Sequence, residues 1–277
     1  FPPILGCAGR GGNGNFLTST LPHPQDGLCR AILCYNWENF ILNIFLLLNQ
    51  RHPAMQPLDT PGDNKETLSV FDFDGTLTRH DSFIPFLRFA FGRRVFTQKL
   101  LRMTLPTVKC LRRKLTRDEL KEVLITTFMT GVEEAWVRQK AEVFCQLKWG
   151  KLMRPQGLLA VAQEVASGAT VTICSASPAM VLQPFAQRLG IKLIGTELES
   201  ENGILTGRIS GHNCRCLQKI ERLEAEYGAL TAWHMRAWGD SRGDHELLSA
   251  ANDAYWRHFH PAWARRKAPR IEPLSIR

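Results

Sequence analysis

The eight cysteines of this chain, Cys7, Cys29, Cys34, Cys110, Cys145, Cys174, Cys214 and Cys216, include no CxxC pair and have no histidine at zinc-ligand spacing. A structural zinc site is therefore not expected, and the lone Cys-x-Cys at 214–216 does not supply one. Scattered thiols of this kind read as free, which points to a reducing, cytoplasmic compartment. A bilayer-spanning run is also missing. Phe40 to Leu48 is apolar but too short, and extending it back to Ala31 brings in Asn36, Glu38 and Asn39. That stretch reads as a buried or interfacial helix. Acids are absent between Ser82 and Arg117, where ten Lys or Arg stand, among them Arg93, Arg94, Arg112 and Arg113. No base-reading motif accompanies this block, so no nucleic-acid partner is expected. Its charge suits the anionic face of a membrane, which the protein would touch peripherally at the inner leaflet. A solvated helix face is the more frequent state of any one basic run. A second basic cluster, Arg265, Arg266, Lys267, Arg270 and Arg277, closes the chain.

Residues 1–54 lack clear periodicity, are rich in Gly, Pro and Asn, and begin with Phe. A polar, linker-like stretch from Gln56 to Glu66 follows Met55, so 1–66 reads as an extension, with the functional chain expected to begin near Met55. What remains of the 277 residues, at 44% apolar overall and net charge +9, suffices for one large domain or two small ones.

The most informative stretch is Leu68-Ser69-Val70-Phe71-Asp72-Phe73-Asp74-Gly75-Thr76-Leu77-Thr78. A short apolar run, read as a buried strand, delivers two aspartates two residues apart into a Gly-Thr turn. Side chains at i and i+2 of an extended segment point the same way, so Asp72 and Asp74 can face one small volume. Two carboxylates so placed repel, and a cation, a shared proton or a positive neighbour must compensate. An Asp-Gly turn after a strand is common, so the pair alone does not separate a turn from a reactive site. Groups at later element ends decide.

From Phe83 to Glu142 apolar residues recur at three- and four-residue spacing, which predicts several helices directly after the first strand. Arg154 to Ala166 predicts another. Thr170 to Cys174 is β-branched and apolar, a second strand that stops at Ser175-Ala176-Ser177-Pro178. Pro178 opens a helix closed by Gly190, and Lys192 to Gly195 follows as a third strand. A hairpin is expected around Asn202-Gly203, a helix over Lys219 to Tyr227, and a strand over Met235 to Trp238. The loop Gly239-Asp240-Ser241-Arg242-Gly243-Asp244 then leads into a last helix through Ala251. Alternating strands and helices imply a parallel α/β sheet with a helical block inserted after strand one.

Four polar groups thus stand at element ends: Asp72 with Asp74, Ser175, Lys219, and Asp240 with Asp244. Each has an ordinary explanation: a turn serine, a solvated lysine, aspartates capping a helix. Together and in this order they resemble the four motifs of the haloacid dehalogenase superfamily, over Leu68 to about Ala251. Ser175-Ala176-Ser177-Pro178, the hairpin and Gly239-Asp240-Ser241 look like its phosphoserine phosphatase-like branch, subfamily IB. The resemblance implies a Rossmann-like α/β core at 67–80 and 153–260, a helical C1 cap at 81–152, and a basic tail at 261–277. One departure is Cys216, where that branch usually has Gly three residues before the Lys.

The same resemblance implies roles. Asp72 would attack phosphorus and become an aspartyl-phosphate, and Asp74 would protonate the leaving oxygen and then activate water. Magnesium would be held by Asp72, the main-chain carbonyl of Asp74, and Asp240, with Asp244 orienting Asp240 or a metal-bound water. Ser175 and Lys219 would hold phosphoryl oxygens. Asp74 argues against a dehalogenase, which needs no proton donor there, and the Asp-Lys-Thr-Gly-Thr of P-type pumps is absent. The substrate is expected to be a phosphomonoester. The basic, amphipathic block, with Arg93, Arg94, Arg112 and Arg113 as contacts, favours a phospholipid-type one such as phosphatidylglycerophosphate. Phosphoserine or another small phosphometabolite is the alternative, although Arg79-His80-Asp81-Ser82 stands where that family carries a Glu. A non-catalytic adaptor for anionic membrane is the alternative of another class. Oligomeric state is not legible.

Overall fold

The computed structural model describes residues 65–102 and 117–265. The amino-terminal extension, the Phe40–Leu48 run, Arg112, Arg113 and the basic tail beyond Arg265 lie outside the described residues. A five-stranded parallel sheet forms the centre of the described residues, in the order β3-β2-β1-β6-β7. Here β1 is Thr67–Phe71, β2 is Thr170–Pro178, β3 is Lys192–Thr196, β6 is His234–Gly239 and β7 is Asp253–Trp256. The expected α/β class is therefore present. β1 is central because its Leu68, Val70 and Phe71 are all fully buried, as a strand covered on both faces requires. Its pleat sends Leu68 and Val70 into one core cluster and Phe71 into the other, one on each side of the sheet.

Among the described residues, four helices run between β1 and β2: α1 (Phe83–Arg102), α2 (Arg117–Met129), α3 (Glu134–Leu152) and α4 (Pro155–Ala166). α1 bends at Gly92, whose φ of 73° breaks the helical geometry. The chain leaves the core and re-enters it at one stem. Thr78 pairs with Met153, Arg79 N donates to Leu152 O at 2.9 Å and Arg154 N donates to Leu77 O at 2.8 Å. A hairpin of β4 (Leu198–Glu201) and β5 (Ile204–Ile209) turns at Asn202 and Gly203, both with positive φ, as the Asn-Gly pair predicts. It braces the inserted helices, with Gly131 N donating to Leu205 O and Thr126 Oγ1 to Gly207 O, each at 2.8 Å.

After β2 comes α5 (Ala179–Leu189), ended by Gly190 in the left-handed conformation. α6 (Leu217–Tyr227), α7 (His245–Ala250) and the short α8 (Ala262–Arg265) complete the helices among the described residues. No helix there is long and apolar enough to cross a membrane. Two expectations needed correction. The second strand does not stop at Cys174: Ser175 to Pro178 stays extended, and pairing with β3 resumes at Pro178 and Thr196 after a register shift. β7 was not expected from the sequence, because it is only four residues long and half-exposed at the sheet edge.

What fastens that edge is an aromatic stack. Phe71, Trp238 and Tyr255 are register partners on β1, β6 and β7, with ring centroids 4.1 Å and 4.5 Å apart and planes within 9°. Trp238→Ala should therefore lower folding stability by about 3–5 kcal/mol. The check is a urea unfolding midpoint at unchanged m-value, and a loss under about 1 kcal/mol would show that the stack does not hold the edge.

Candidate active site

The site forms where β1, β2 and β6 end side by side. Asp72 prolongs β1 by one residue, its amide donating to Trp238 O at 2.9 Å. Phe73 to Leu77 then turns sharply with Gly75 at φ 84°. Thr78 locks the turn: its amide donates to Phe73 O at 3.0 Å, and Gly75 N donates to its Oγ1 at 3.0 Å. Asp72 and Asp74 do line one cavity of about 270 Å³, but each meets different partners.

Asp72 faces a buried ammonium. Lys219 on α6 is fully buried and donates to Asp72 Oδ1 at 2.8 Å and Asp244 Oδ1 at 2.6 Å. A lone ammonium could not be buried in this way, so the two carboxylates are the condition of its presence. Asp244 follows the Asp240 turn, and its Oδ2 accepts from Ser241 N at 3.0 Å and Ser241 Oγ at 2.8 Å. Both its oxygens are thus used inside the protein. Asp240 stands opposite Gly75 and is steadied from outside the expected motifs. His260 Nε2 lies 3.6 Å from its Oδ2 and 2.8 Å from Gly75 O, and Arg257 Nε donates to Asp240 O at 3.0 Å.

The charges do not balance. Carboxylate oxygens of Asp72, Asp240 and Asp244 all lie within 4.8 Å of one another. Burial, and then the negative charges of Asp244 and Asp240, push the Asp72 carboxyl well above its usual range despite Lys219. Burial and Asp244 raise Asp240 to about 6. Burial also opposes the charge on Asp244, but Lys219 and the Ser241 hydrogen bonds outweigh it and hold that carboxyl below its usual value. Lys219 remains an ammonium, raised by its two acids against its own burial. The Lys219 ammonium and the Arg257 guanidinium beside Asp240, against three close carboxylates, still leave excess negative charge. An all-oxygen donor set with that excess fits a hard divalent cation such as magnesium.

Asp74 is set apart from this group. Its Oδ1 accepts from Ser82 N at 2.7 Å, and Oδ2 accepts from Ser177 Oγ. Burial, with the charge of Asp81 adding, raises it to about 6 despite those bonds. A carboxyl there can give up and regain a proton near neutral pH. Ser175, buried at the bend of β2, lines the same cavity, and its Oγ accepts from Ser177 N at 3.2 Å.

The cavity also recruits residues that the sequence did not single out: Asp81, Ile84, Lys121, Ser177, Asn213 and Arg215. Lys121, on α2, donates to Ala176 O, to Asn213 Oδ1 at 2.5 Å and to Thr196 Oγ1 at 3.4 Å, tying an inserted helix to the strand ends. Ser177 was legible two residues past Ser175, on the same side of an extended chain. His260 and Arg257 were not, since they reach Gly75 and Asp240 from beyond the last motif. Arg93 and Arg94 are exposed on the second half of α1, and neither lines the cavity.

Residues 69–249 match the family model for haloacid dehalogenase-like hydrolase. The chain belongs to that family. Protein CicA of Caulobacter vibrioides is 35% identical over 211 residues, covering 74% of this chain and 92% of that protein. A protein of unknown function from Bordetella pertussis Tohama I has a solved structure with a TM-score of 0.59 at 23% identity, covering 68% of this chain and 87% of that one. A probable phosphoserine phosphatase from Vibrio cholerae gives 0.55 at 19% identity, covering 78% of this chain and 64% of that one. These structures are alike in fold.

Within this haloacid dehalogenase-like hydrolase, the backbone at Gly75 and at Cys216 is demanding. A Cβ on Gly75 would lie 2.5 Å from Asp240 Oδ2, in a conformation that already favours glycine. Cys216 takes φ 55° and ψ −132° just before α6, so it keeps a glycine-like backbone where the subfamily pattern has glycine. The strain of that conformation is borne by a cysteine. Gly75→Ala should cut turnover about 100-fold by displacing Asp240, read as kcat on a generic phosphomonoester. Near-normal turnover would show that the loop tolerates the side chain. Cys216→Gly should raise stability by about 1 kcal/mol in urea unfolding, whereas a lowered midpoint would mean that the conformation is not strained.

Proposed function

We propose that this protein is a magnesium-dependent phosphomonoester phosphatase that works through an aspartyl-phosphate at Asp72. The observation that carries this reading is the buried Lys219 ammonium, shared by Asp72 and Asp244 on the wall of a cavity that also holds Asp74. Such an arrangement suits a dianionic group better than a neutral one, because cations and a compensated nucleophile converge on one point. Asp72 attacks phosphorus and the bond to the leaving oxygen breaks. Asp74, aimed by Ser82 N and Ser177 Oγ, gives that oxygen its proton. It then takes a proton from the water that attacks the acyl phosphate, which frees Asp72. The Ser175 hydroxyl and Lys219 bind phosphoryl oxygens. Asp72, the Asp74 carbonyl and Asp240 would hold magnesium, which when bound neutralises charge on the phosphoryl group. Asp244, with both oxygens already engaged, positions Lys219 and the Asp240 turn. The described helices within 81–152, α1 to α3, act as a cap that closes this cavity and selects the leaving group.

For the leaving group, α1 supports a phospholipid-type phosphomonoester such as phosphatidylglycerophosphate. Ile84 at its start lines the cavity, and beyond Gly92 the exposed Val95, Leu100 and Leu101 accompany the exposed Arg93 and Arg94. Apolar and cationic side chains on one exposed segment suit an anionic lipid surface. A second reading rests on Asp81, whose carboxylate in the cavity wall could hold an ammonium. It favours phosphoserine or a similar small amine-bearing phosphate.

With magnesium, the protein should hydrolyse p-nitrophenyl phosphate and lose the activity to a chelator. Asp72→Asn should lower kcat about 10,000-fold, and Asp74→Asn about 100- to 10,000-fold. A panel containing phosphatidylglycerophosphate in mixed micelles and phosphoserine separates the two leaving groups. No turnover on any phosphomonoester would sink the reading and leave the membrane adaptor.

A further inference from the structure

Beneath the cavity lies a pair of thiols that the reaction does not use. Cys174 and Cys214 are both fully buried and free, and their sulfurs stand 3.8 Å apart although 40 residues separate them in sequence. Each is joined directly to the cavity. Cys174 precedes Ser175, and Cys214 lies between Asn213 and Arg215, all three of which line the wall. The Cys174 sulfur also contacts the backbone oxygen of Lys219 at 4.0 Å. We propose that Cys174 and Cys214 are an oxidisable dithiol, a site of disulfide modification by a peroxide that shuts the neighbouring cavity down.

The geometry favours this pair over the other cysteines among the described residues. A disulfide needs sulfurs about 2.05 Å apart, so these two must close by about 1.8 Å, a distance side-chain rotation and a small backbone shift can supply. Cys214 is the natural nucleophile. The hydrogen bond shared with Cys174 lowers its thiol to about 7 against its burial, with Lys219, Arg222 and Lys121 adding. Burial pushes the Cys145 thiol the other way, up to about 12. Low thiolate content makes Cys145 a poor competitor.

The chemistry balances with hydrogen peroxide as oxidant. The Cys214 thiolate attacks one peroxide oxygen, the O–O bond breaks, and the departing hydroxide takes a proton to become water. Sulfur is oxidised to a sulfenic acid and peroxide is reduced. The Cys174 sulfur then attacks the sulfenic sulfur, its S–O bond breaks, and the hydroxide leaves as water with the Cys174 proton. A small dithiol reverses the bond by exchange. Closing it draws Ser175 toward the 213–216 segment and the start of α6, displacing the hydroxyl and ammonium that face the cavity. That consequence for turnover rests on the phosphatase reading above, whereas the bond itself does not.

The test treats the full chain with hydrogen peroxide, blocks remaining thiols, and maps non-reduced tryptic peptides by mass spectrometry. Cleavage after Arg215 puts Cys214 and Cys216 on different peptides, so their pairings are distinguishable. The expected result is a Cys174–Cys214 linked pair, with p-nitrophenyl phosphate turnover down about 100-fold and restored by dithiothreitol. Cys214→Ala, or Cys174→Ala should the first fold poorly by circular dichroism, keeps its activity through the same treatment. A Cys214–Cys216 link, no link, an alanine variant inactivated like the wild type, or a Cys174–Cys214 link with unchanged turnover would each overturn the proposal. A protein inactive before oxidation refutes the phosphatase reading, and the linked peptide still decides the dithiol.

Discussion

A single ammonium, Lys219, buried where β1, β2 and β6 end, is the constraint on which the site depends. Removing a charge from water is tolerable only against close opposite charge and satisfied hydrogen bonds. Asp72 and Asp244 supply both, at 2.8 Å and 2.6 Å. They come from chain positions 147 and 25 residues away from the lysine, so the pairing requires the whole sheet order to be in place. The Asp240 turn and its Ser241 cap then follow, since they lie against Asp244, and the glycine at 75 leaves room for Asp240. A third carboxylate, Asp240, tips the balance to negative, and that surplus suits a divalent cation and a phosphoryl dianion meeting at one point.

The sheet supplies rigidity, and the inserted helices supply part of the cavity wall through Phe83, Ile84, Lys121 and Leu124. β1 is buried on both faces and continues straight into Asp72, so the carboxylate is as well anchored as the core. The helices between Thr78 and Met153 leave through one stem and are tied back by Lys121 and by the β4–β5 hairpin. This division lets residues such as Asp81, Ile84 and Leu124 vary the cavity wall without touching the charge cluster.

Much of this was legible in the sequence because it is local. The run Leu68 to Thr78 announces a strand and a turn by its own residues, and Asn202-Gly203 specifies a hairpin. Ser175, Lys219, Asp240 and Asp244 were found as polar groups at element ends, and the fold brings them to one cavity or its edge. The rest depends on contacts that leave no periodic trace. β7 is four residues long and held by stacking on Trp238, which no alternation pattern predicts. His260 and Arg257 act on Gly75 and Asp240 from the far end of the chain. The extension of β2 through Ser175-Ala176-Ser177-Pro178 defeats a reading in which serine and proline mark a turn. Asp74 shares the cavity with Asp72 yet answers to Ser82 and Ser177, a separation that spacing alone does not reveal.

The central claim is that Asp72 itself carries the phosphoryl group while Asp74 moves the proton. Rapid acid quench of the Asp74→Asn protein with magnesium and a labelled phosphomonoester, followed by peptide mapping, tests it most directly. Label on the peptide containing Asp72, released by hydroxylamine and absent from an Asp72→Asn, Asp74→Asn double variant, is the predicted result. Label on any other residue, or turnover in the wild type with direct transfer to water and no protein-bound phosphate, would contradict it.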